Sequence, residues 1–407
     1  IEGNNQVVEV VATKLTFTDY PGFILPGFVP PFSDFAATVE AQDMNGNKDK
    51  NATNSVTLSR SVGTGNLTSS TGLTQFLSSG EYEWIDLQYD TEETFRIQAV
   101  DNTDGLTTGE TGDILCSNSN VVILETSPVE TFGTIQAAIN RINSTYNPLT
   151  KNMTVVVTNS NTYNENVSIS GINTAGYTLT LRNWYGERPT IDGGNSNHVV
   201  QIGISDFIIE GMNITGSSSY SGVYLNAATD NVTIKDCGIY DCNHGISTGD
   251  YAQTNLTAIR CAIYDNGCNG IGNYDARTKI HSNWTISQCL IHGNLGTGDY
   301  SGVELHNVNG VNLTQNTIYN NAINASTASV YNSEVCLLNS TTNVLLKNNI
   351  TFSDAQESTH MFIYDGATSS SVISSSDYND YSQTDGTCFG YDGAYGYSLS
   401  LIHISEP

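Results

Sequence analysis

Phe207-Ile-Ile-Glu-Gly-Met212-Asn-Ile214, Val232-Thr-Ile-Lys-Asp-Cys237-Gly-Ile239, Leu256-Thr-Ala-Ile-Arg-Cys261-Ala-Ile263, Trp284-Thr-Ile-Ser-Gln-Cys289-Leu-Ile291 and Val311-Asn-Leu-Thr-Gln-Asn316-Thr-Ile318 are five versions of one phrase, repeated every 24 to 28 residues. A sixth version, Val344-Leu-Leu-Lys-Asn-Asn349-Ile350, follows after 33 residues. A fixed period means a solenoid, because each unit can bury its apolar face only against the next. Within the phrase, apolar residues alternate, β-branched residues are frequent, and Gly and Asn punctuate the ends, so the unit is a strand. Coils of parallel strands follow, with long outer faces suited to extended polymers.

Composition sets the surroundings. The 407 residues leave room for more than one domain. Fourteen Lys and Arg against 41 Asp and Glu give a formal charge of −27, which repels nucleic acid and anionic lipid. No apolar run is long enough to span a bilayer. The eight Cys are scattered and form no Cys-x-x-Cys pair, which argues against a disulfide scaffold or a metal knuckle. Thirteen Asn-x-Ser/Thr sequons occur, and Asn231, Asn255 and Asn283 recur at one repeat position. Turn preference of Asn and strand preference of Thr explain them more simply than glycosylation.

Residues 13–118 differ in character. Short alternating segments such as Phe35-Ala-Ala-Thr-Val-Glu-Ala41 and Thr94-Phe-Arg-Ile-Gln-Ala99, separated by turns, predict a β-sandwich. The phrases Ala41-Gln-Asp-Met-Asn-Gly-Asn47 and Gly80-Glu-Tyr-Glu-Trp84 resemble bacterial immunoglobulin-like repeats, which implies a spacer. Residues 1–12 resemble the last strand of a preceding copy. Asp43, Asn45, Asn47 and Asp49 alternate oxygen ligands as some calcium loops do, but Gly46 is misplaced for that and an Asn-Gly hairpin tip accounts for them. Residues 119–133 read as a linker. The chain starts at Ile1 rather than Met, and residues 399–407 resemble translated sequencing adapter, so a piece of a longer gene is expected, with His403 and Glu406 outside any site.

Ile135, Ala138, Ile139 and Ile142 are spaced as one face of a helix, expected to cover the first coil. After it come Met153-Thr-Val-Val-Val157, Tyr163-Asn-Glu-Asn-Val167, Tyr177-Thr-Leu-Thr-Leu181 and Pro189-Thr-Ile-Asp-Gly193. This order resembles the opening segment of the right-handed parallel β-helix superfamily, which includes pectate-lyase-like proteins and the carbohydrate-binding and sugar-hydrolysis domain. The resemblance covers about residues 130 to 385 and implies an all-β fold: a right-handed parallel β-helix over 134–395 with a capping helix. It does not fix an activity.

Coil stacking would set equivalent residues roughly 4.8 Å apart. Met212, Cys237, Cys261, Cys289, Asn316 and Asn349 then form one inward column, ending in stacked amides. Cys242 and Cys268 lie at adjacent turns and could pair, a question of Cα separation that sequence does not answer. Tyr240, Tyr264, His292 and Tyr319 form an outward column, either a platform for sugar rings or a self-stabilising stack.

Chemistry is expected on the strand after each Gly turn. Alternation puts Tyr224, Tyr274, Glu304 and His306 on one outer face, with Asp250, Asp275, Arg277, Lys279 and His281 at neighbouring strand ends. Glu304, Asp275, His306 and Arg277 are the catalytic candidates. Tyr224, Tyr274, Asp250, Lys279, His281, Tyr240, Tyr264 and His292 are the substrate-binding ones. Asp275 and Glu304 at roughly 5 Å would suit a retaining glycosidase. Alternatively Arg277 or Lys279 would act as the base beside a uronate neutralised by Ca²⁺ on Asp250 and Asp275, as the resemblance to pectate-lyase-like enzymes implies. The polygalacturonase series and the Asp-Pro-His of the mannuronan epimerases are missing here. A secreted or cell-surface bacterial monomer that binds polysaccharide, with cleavage left open, is the expectation. A non-catalytic adhesin or stalk is the alternative.

Overall fold

A computed structural model describes residues 9–21, 27–29, 33–103, 105–116, 121–126, 130–273, 278–294, 301–321, 333–353, 360–363, 373–383 and 389–391. The chain divides into two compact units, residues 1–131 and 132–407.

The first unit holds two sheets. One runs in the order Lys14–Asp19, Phe35–Gln42, Glu81–Tyr89, Leu67–Ser69, and the other joins Gly27–Val29, Ile114–Cys116, Glu93–Asp101, Ser55–Val62 and Thr74–Phe76, with Gly109–Glu110 beside Glu93–Asp101. Alternate residues of both sheets, among them Val39, Val56, Trp84, Leu87 and Phe95, form a single buried core. The loop that resembled a calcium site is a turn. Asp43 Oδ1 accepts from the backbone N–H of Asn45 and Asn47 at 2.9 and 2.8 Å, and Gly46 takes φ +86°. The Asn47 amide, followed by its backbone, holds the Asp43 carboxyl below the usual range. The stretch expected as a linker contains two short strands, Val121–Ile123 and Glu130–Phe132.

The second unit is a parallel β-solenoid. Its single described helix, Ile135–Thr145, buries the four expected residues Ile135, Ala138, Ile139 and Ile142. Thr134 caps it by accepting from Ala137 N, and Glu165 accepts from the N–H of Ile135 and Gln136, both at 2.9 Å. A carboxylate on the first orphan donors of a helix satisfies them and meets the positive end of its dipole. This is the local work of Glu165 within Tyr163-Asn-Glu-Asn-Val167.

Three sheets wind up the solenoid. The first contains Met153–Val157, Leu179–Asn183, Phe207–Glu210, Val232–Lys235, Thr257–Ile259, His281–Ser287, Val308–Thr314, Thr342–Lys347 and Ile373–Asp377. The second runs from Thr162–Asn164 to Asp380–Gln383 and the third from Val167–Ile169 to Phe389–Tyr391, each with nine parallel strands. The registers match the repeated phrase: Ile214, Ile239, Ile263, Ile291 and Ile318 stand one above another in the second sheet, all buried.

The turns between sheets decide how the chain bends. Between the first and second sheets, Gly211, Asp236, Arg260, Gln288, Gln315 and Asn348 take φ between +53° and +74°. The next residue in each coil is the inward column Met212, Cys237, Cys261, Cys289, Asn316, Asn349, and all six are buried. Asn316 Nδ2 donates to Asn349 Oδ1 at 3.0 Å, and Asn349 Nδ2 to Asn379 Oδ1 at 2.9 Å. The cysteines do part of the same work. Cys261 Sγ donates to Ile234 O and Cys289 Sγ to Ala258 O, while Asn316 Nδ2 donates to Ile286 O. A thiol at this position therefore meets the preceding coil's carbonyl as an amide would, though more weakly. Asn231, Asn255 and Asn283 occupy another left-handed position, φ +57°, +52° and +57°, and their amides bond side chains of the preceding coil. Conformation and bonding thus account for Asn there.

Replacing Asn349 by Ala strands the Asn316 N–H inside the core and removes the amide that donates to the Leu313 carbonyl. Stability measured by denaturant unfolding should fall by at least ~2 kcal/mol, since each buried group left without a partner costs about 1–3 kcal/mol; a loss below ~0.5 kcal/mol contradicts the ladder's role.

Candidate functional site

The outward column of the third sheet is Gln201, Tyr224, Ser247, Gly272, Glu304 and Cys336. By register, the structure puts Glu304 in the same column as Tyr224. It differs on exposure: Glu304 is 0% exposed and His306 2%. Side chains of the preceding turn fold across the strand. Asn269, itself buried, lies over Gly272 and donates through Nδ2 to Glu304 Oε2 at 2.9 Å. Direction along a strand says nothing of what crosses over it, which is why an open face was expected.

Glu304 Oε1 lies 2.6 Å from His306 Nε2. Asn339 Nδ2 lies 2.9 Å from His306 Nδ1, and an amide nitrogen can only donate there, so the ring proton belongs on Nε2, facing the carboxylate. Asn273 holds the His306 backbone from both sides: its Nδ2 donates to His306 O and its Oδ1 accepts from His306 N at 2.6 and 2.7 Å. A side chain thus continues the ladder where the strand Ile271–Gly272 stops. Glu304 and His306 therefore form an acid–imidazole pair, fixed by asparagines from the coils before and after.

The other candidates separate. Asp275, Arg277 and Tyr274 lie outside the described residues, so neither the Asp275–Glu304 separation nor a calcium site on Asp250 and Asp275 has a geometry here. Asp250 and Lys279 are largely exposed and face each other at 3.8 Å. Such a pair contributes little in water. His281, expected on the surface, is 0% exposed: its Nδ1 accepts from Gln253 N at 3.1 Å and its ring meets the edge of Trp284. It begins a first-sheet strand in register with Val308, and that inward register explains the burial. Tyr224 is half-buried and stacks on His198, centroids 3.8 Å apart and planes 4° off parallel. Cys242 and Cys268 are not joined. Cys242 Sγ points to Tyr240 O and Cys268 Sγ to Asn243 Oδ1, and burial pushes the Cys242 thiol up to about 12. Among the described residues, no three His, Cys, Asp or Glu side chains converge as a metal shell.

On the second sheet, Tyr240, Tyr264, His292 and Tyr319 stack with centroids 5.0, 5.3 and 4.8 Å apart and planes within 14°. Inner rings of the stack have both faces against their neighbours, which leaves edges and polar tips outward.

Sequence reading missed Glu334. The positions Gly222, Gly245, Gly270 and Gly302 face the interior, and a Cβ built on Gly302 would lie 2.7 Å from Asn321 Nδ2. In the next coil this position carries Glu334, buried at the end of a second ladder, Asn266, Asn294, Asn321. Asn321 donates to it through Nδ2 at 2.6 Å and through its backbone N–H. Burial pushes the Glu334 carboxyl up to about 8, against hydrogen bonds that act to lower it. The signal was a Glu in a column of glycines.

No protein-family model matches the chain, and no curated protein matches it. Among solved structures, it is similar to the A-module of a mannuronan C-5 epimerase from Azotobacter vinelandii, at 16% identity over 65% of this chain and 93% of that one, TM-score 0.29. It is also similar to an alginate lyase from Paenibacillus sp., at 10% identity over 63% and 96%, TM-score 0.40. A pectate lyase follows at 12% identity over 65% and 76%, TM-score 0.32. Each is a likeness of fold. No described helix is long and apolar enough to cross a membrane.

The Glu334 carboxyl rises from the usual 4.5 to about 8 on folding, so the folded chain holds the extra proton between those values. Its stabilising contribution is complete below pH 4.5 and is lost as pH rises through about 8. Denaturant unfolding across that window should show a falling slope that Glu334→Gln removes; an unchanged slope in the variant contradicts the assignment.

Proposed function

We propose that this is a secreted or cell-surface bacterial protein that binds an extracellular polysaccharide on the outside of its solenoid and cleaves it at the third sheet. One observation carries the reading. A Glu–His pair, bonded at 2.6 Å and buried, stands where adjoining coils carry Gly272 and Cys336. Burying a carboxylate costs several kcal/mol unless partners offset it (roughly, by continuum reasoning), and such investments cluster where protons are moved. For Glu304 to act as base toward the substrate, Asn269 must leave its Oε2, while His306 steadies the carboxylate through the Nε2–H. Tyr224, on the same column, lines the approach. The same reading takes the helix Ile135–Thr145 as the cap of the first coil and residues 13–118 as an immunoglobulin-like spacer.

A second reading has its own support. Each oxygen of Glu304 has a partner, and Asn269, Asn273 and Asn339 link three coils through the pair, as a staple in a rigid stalk would. A non-catalytic adhesin would need nothing more.

The full chain should be incubated with a panel of neutral and uronate polysaccharides, with reducing ends and unsaturated uronates read separately. We expect one of the two products from at least one glycan, and a rate reduced roughly 100-fold or more in Glu304→Gln at unchanged thermal unfolding. Parallel runs with EDTA read any need for Ca²⁺ on Asp250 and Asp275. No product from any glycan, with binding retained, leaves the adhesin.

A further inference from the structure

We infer that the outer face of the second sheet is a separate binding strip for a neutral, hydroxyl-rich polysaccharide, laid along the solenoid axis at one sugar per coil. Its ridge is the ring stack Tyr240, Tyr264, His292 and Tyr319. The rings are held by one another at 4.8–5.3 Å and are half-buried, so their tips point outward in fixed positions. Among the described residues, no protein group bonds the three phenolic hydroxyls or the His292 imidazole. Four polar tips thus stand in a row with one coil between each, and an extended chain of equatorially linked pyranoses advances by a similar step. Stacking has already fixed the rotamers, so little side-chain freedom remains to be lost on binding.

The neighbouring column provides the floor. It reads Gly238, Ala262, Leu290 and Thr317, with Leu290 38% exposed, so beside Tyr240 and Tyr264 the surface is low and apolar. Arg188 closes one end. Its guanidinium donates to Asn213 Oδ1 at 3.1 Å and to Asp236 O at 2.8 Å, and would lie 3.3 Å from a Cβ on Gly238. Along the far side, Asp241 and Asp265 follow Tyr240 and Tyr264 in left-handed turns and are exposed. Asp241 and Asp192 act electrostatically on Tyr240, and Asp265 and Asp241 on Tyr264. They accept hydrogen bonds from sugar hydroxyls and repel carboxylated sugars, which makes the occupant neutral. The floor supplies apolar contact for C–H groups and the ridge supplies the hydroxyl partners. No part of the strip belongs to the Glu304–His306 pair, which sits on the third sheet.

Calorimetric titration of the full chain with β-1,4-linked gluco-oligosaccharides, against oligogalacturonate, tests this. We expect binding of the neutral oligomers that tightens with length up to about four sugars, one per ring tip of the stack. Replacing Tyr240, Tyr264 and Tyr319 together by Phe keeps the stack and removes the hydroxyls; affinity should fall roughly tenfold or more. Glu304→Gln should leave it unchanged, so loss of glycan release in that variant with strip binding intact bears on the third sheet alone. Failure of neutral oligomers to bind, preference for oligogalacturonate, or unaltered affinity in the triple Phe variant would each overturn the strip.

Discussion

A chain that turns repeatedly around its own core leaves backbone N–H groups there with no strand to pair with, and everything else depends on how they are satisfied. In this solenoid the side-chain oxygen of the next coil accepts them. Cys289 N, Asn316 N and Asn349 N donate to Asn316, Asn349 and Asn379 Oδ1 at 2.9–3.0 Å. At the second turn, Cys242 N, Asn266 N and Asn294 N donate to the Oδ1 of the asparagine above. Buried backbone donors are almost always paired, and here the pairing works only if successive coils stay in register. Register then places Glu304 beneath Cys336 and sets Tyr240 over Tyr264.

The two ladders end differently, and that difference marks the carboxyl-terminal coils. One continues in asparagine to Asn379; the other ends on Glu334. An amide both donates and accepts, so it can be stacked indefinitely, whereas a carboxylate only accepts. Glu334 therefore ends its ladder, and burial makes it hold its proton into the mildly alkaline range, a cost absent from the four preceding coils, which carry Gly222, Gly245, Gly270 and Gly302 at that position.

The solenoid was legible because period, alternation and turn residues agree within a single phrase. Ile239, Ile263 and Ile291 could be aligned by eye, and their vertical order follows from parallel pairing. The helix face over Ile135–Ile142 was equally plain from its spacing. What escaped was lateral: Glu304 and His306 are buried, bonded by Asn269 and clamped by Asn273 and Asn339 from adjacent coils. Those asparagines lie 31 to 35 residues away, in turns whose sequences differ from one another. His281 was misread for a related reason, since its inward register depends on a strand that begins earlier than the repeated phrase. A fold built from short-range pattern is readable locally, whereas a site built across coils is not.

Vertical neighbourhood of the repeated phrase is the central claim, and methyl-resolved nuclear Overhauser spectroscopy reads it most directly. With isoleucine methyls labelled, cross-peaks should link Ile214 to Ile239, Ile239 to Ile263, Ile263 to Ile291 and Ile291 to Ile318 as a single unbranched series. Absence of these links, or links joining residues two phrases apart in place of adjacent ones, would contradict the stack.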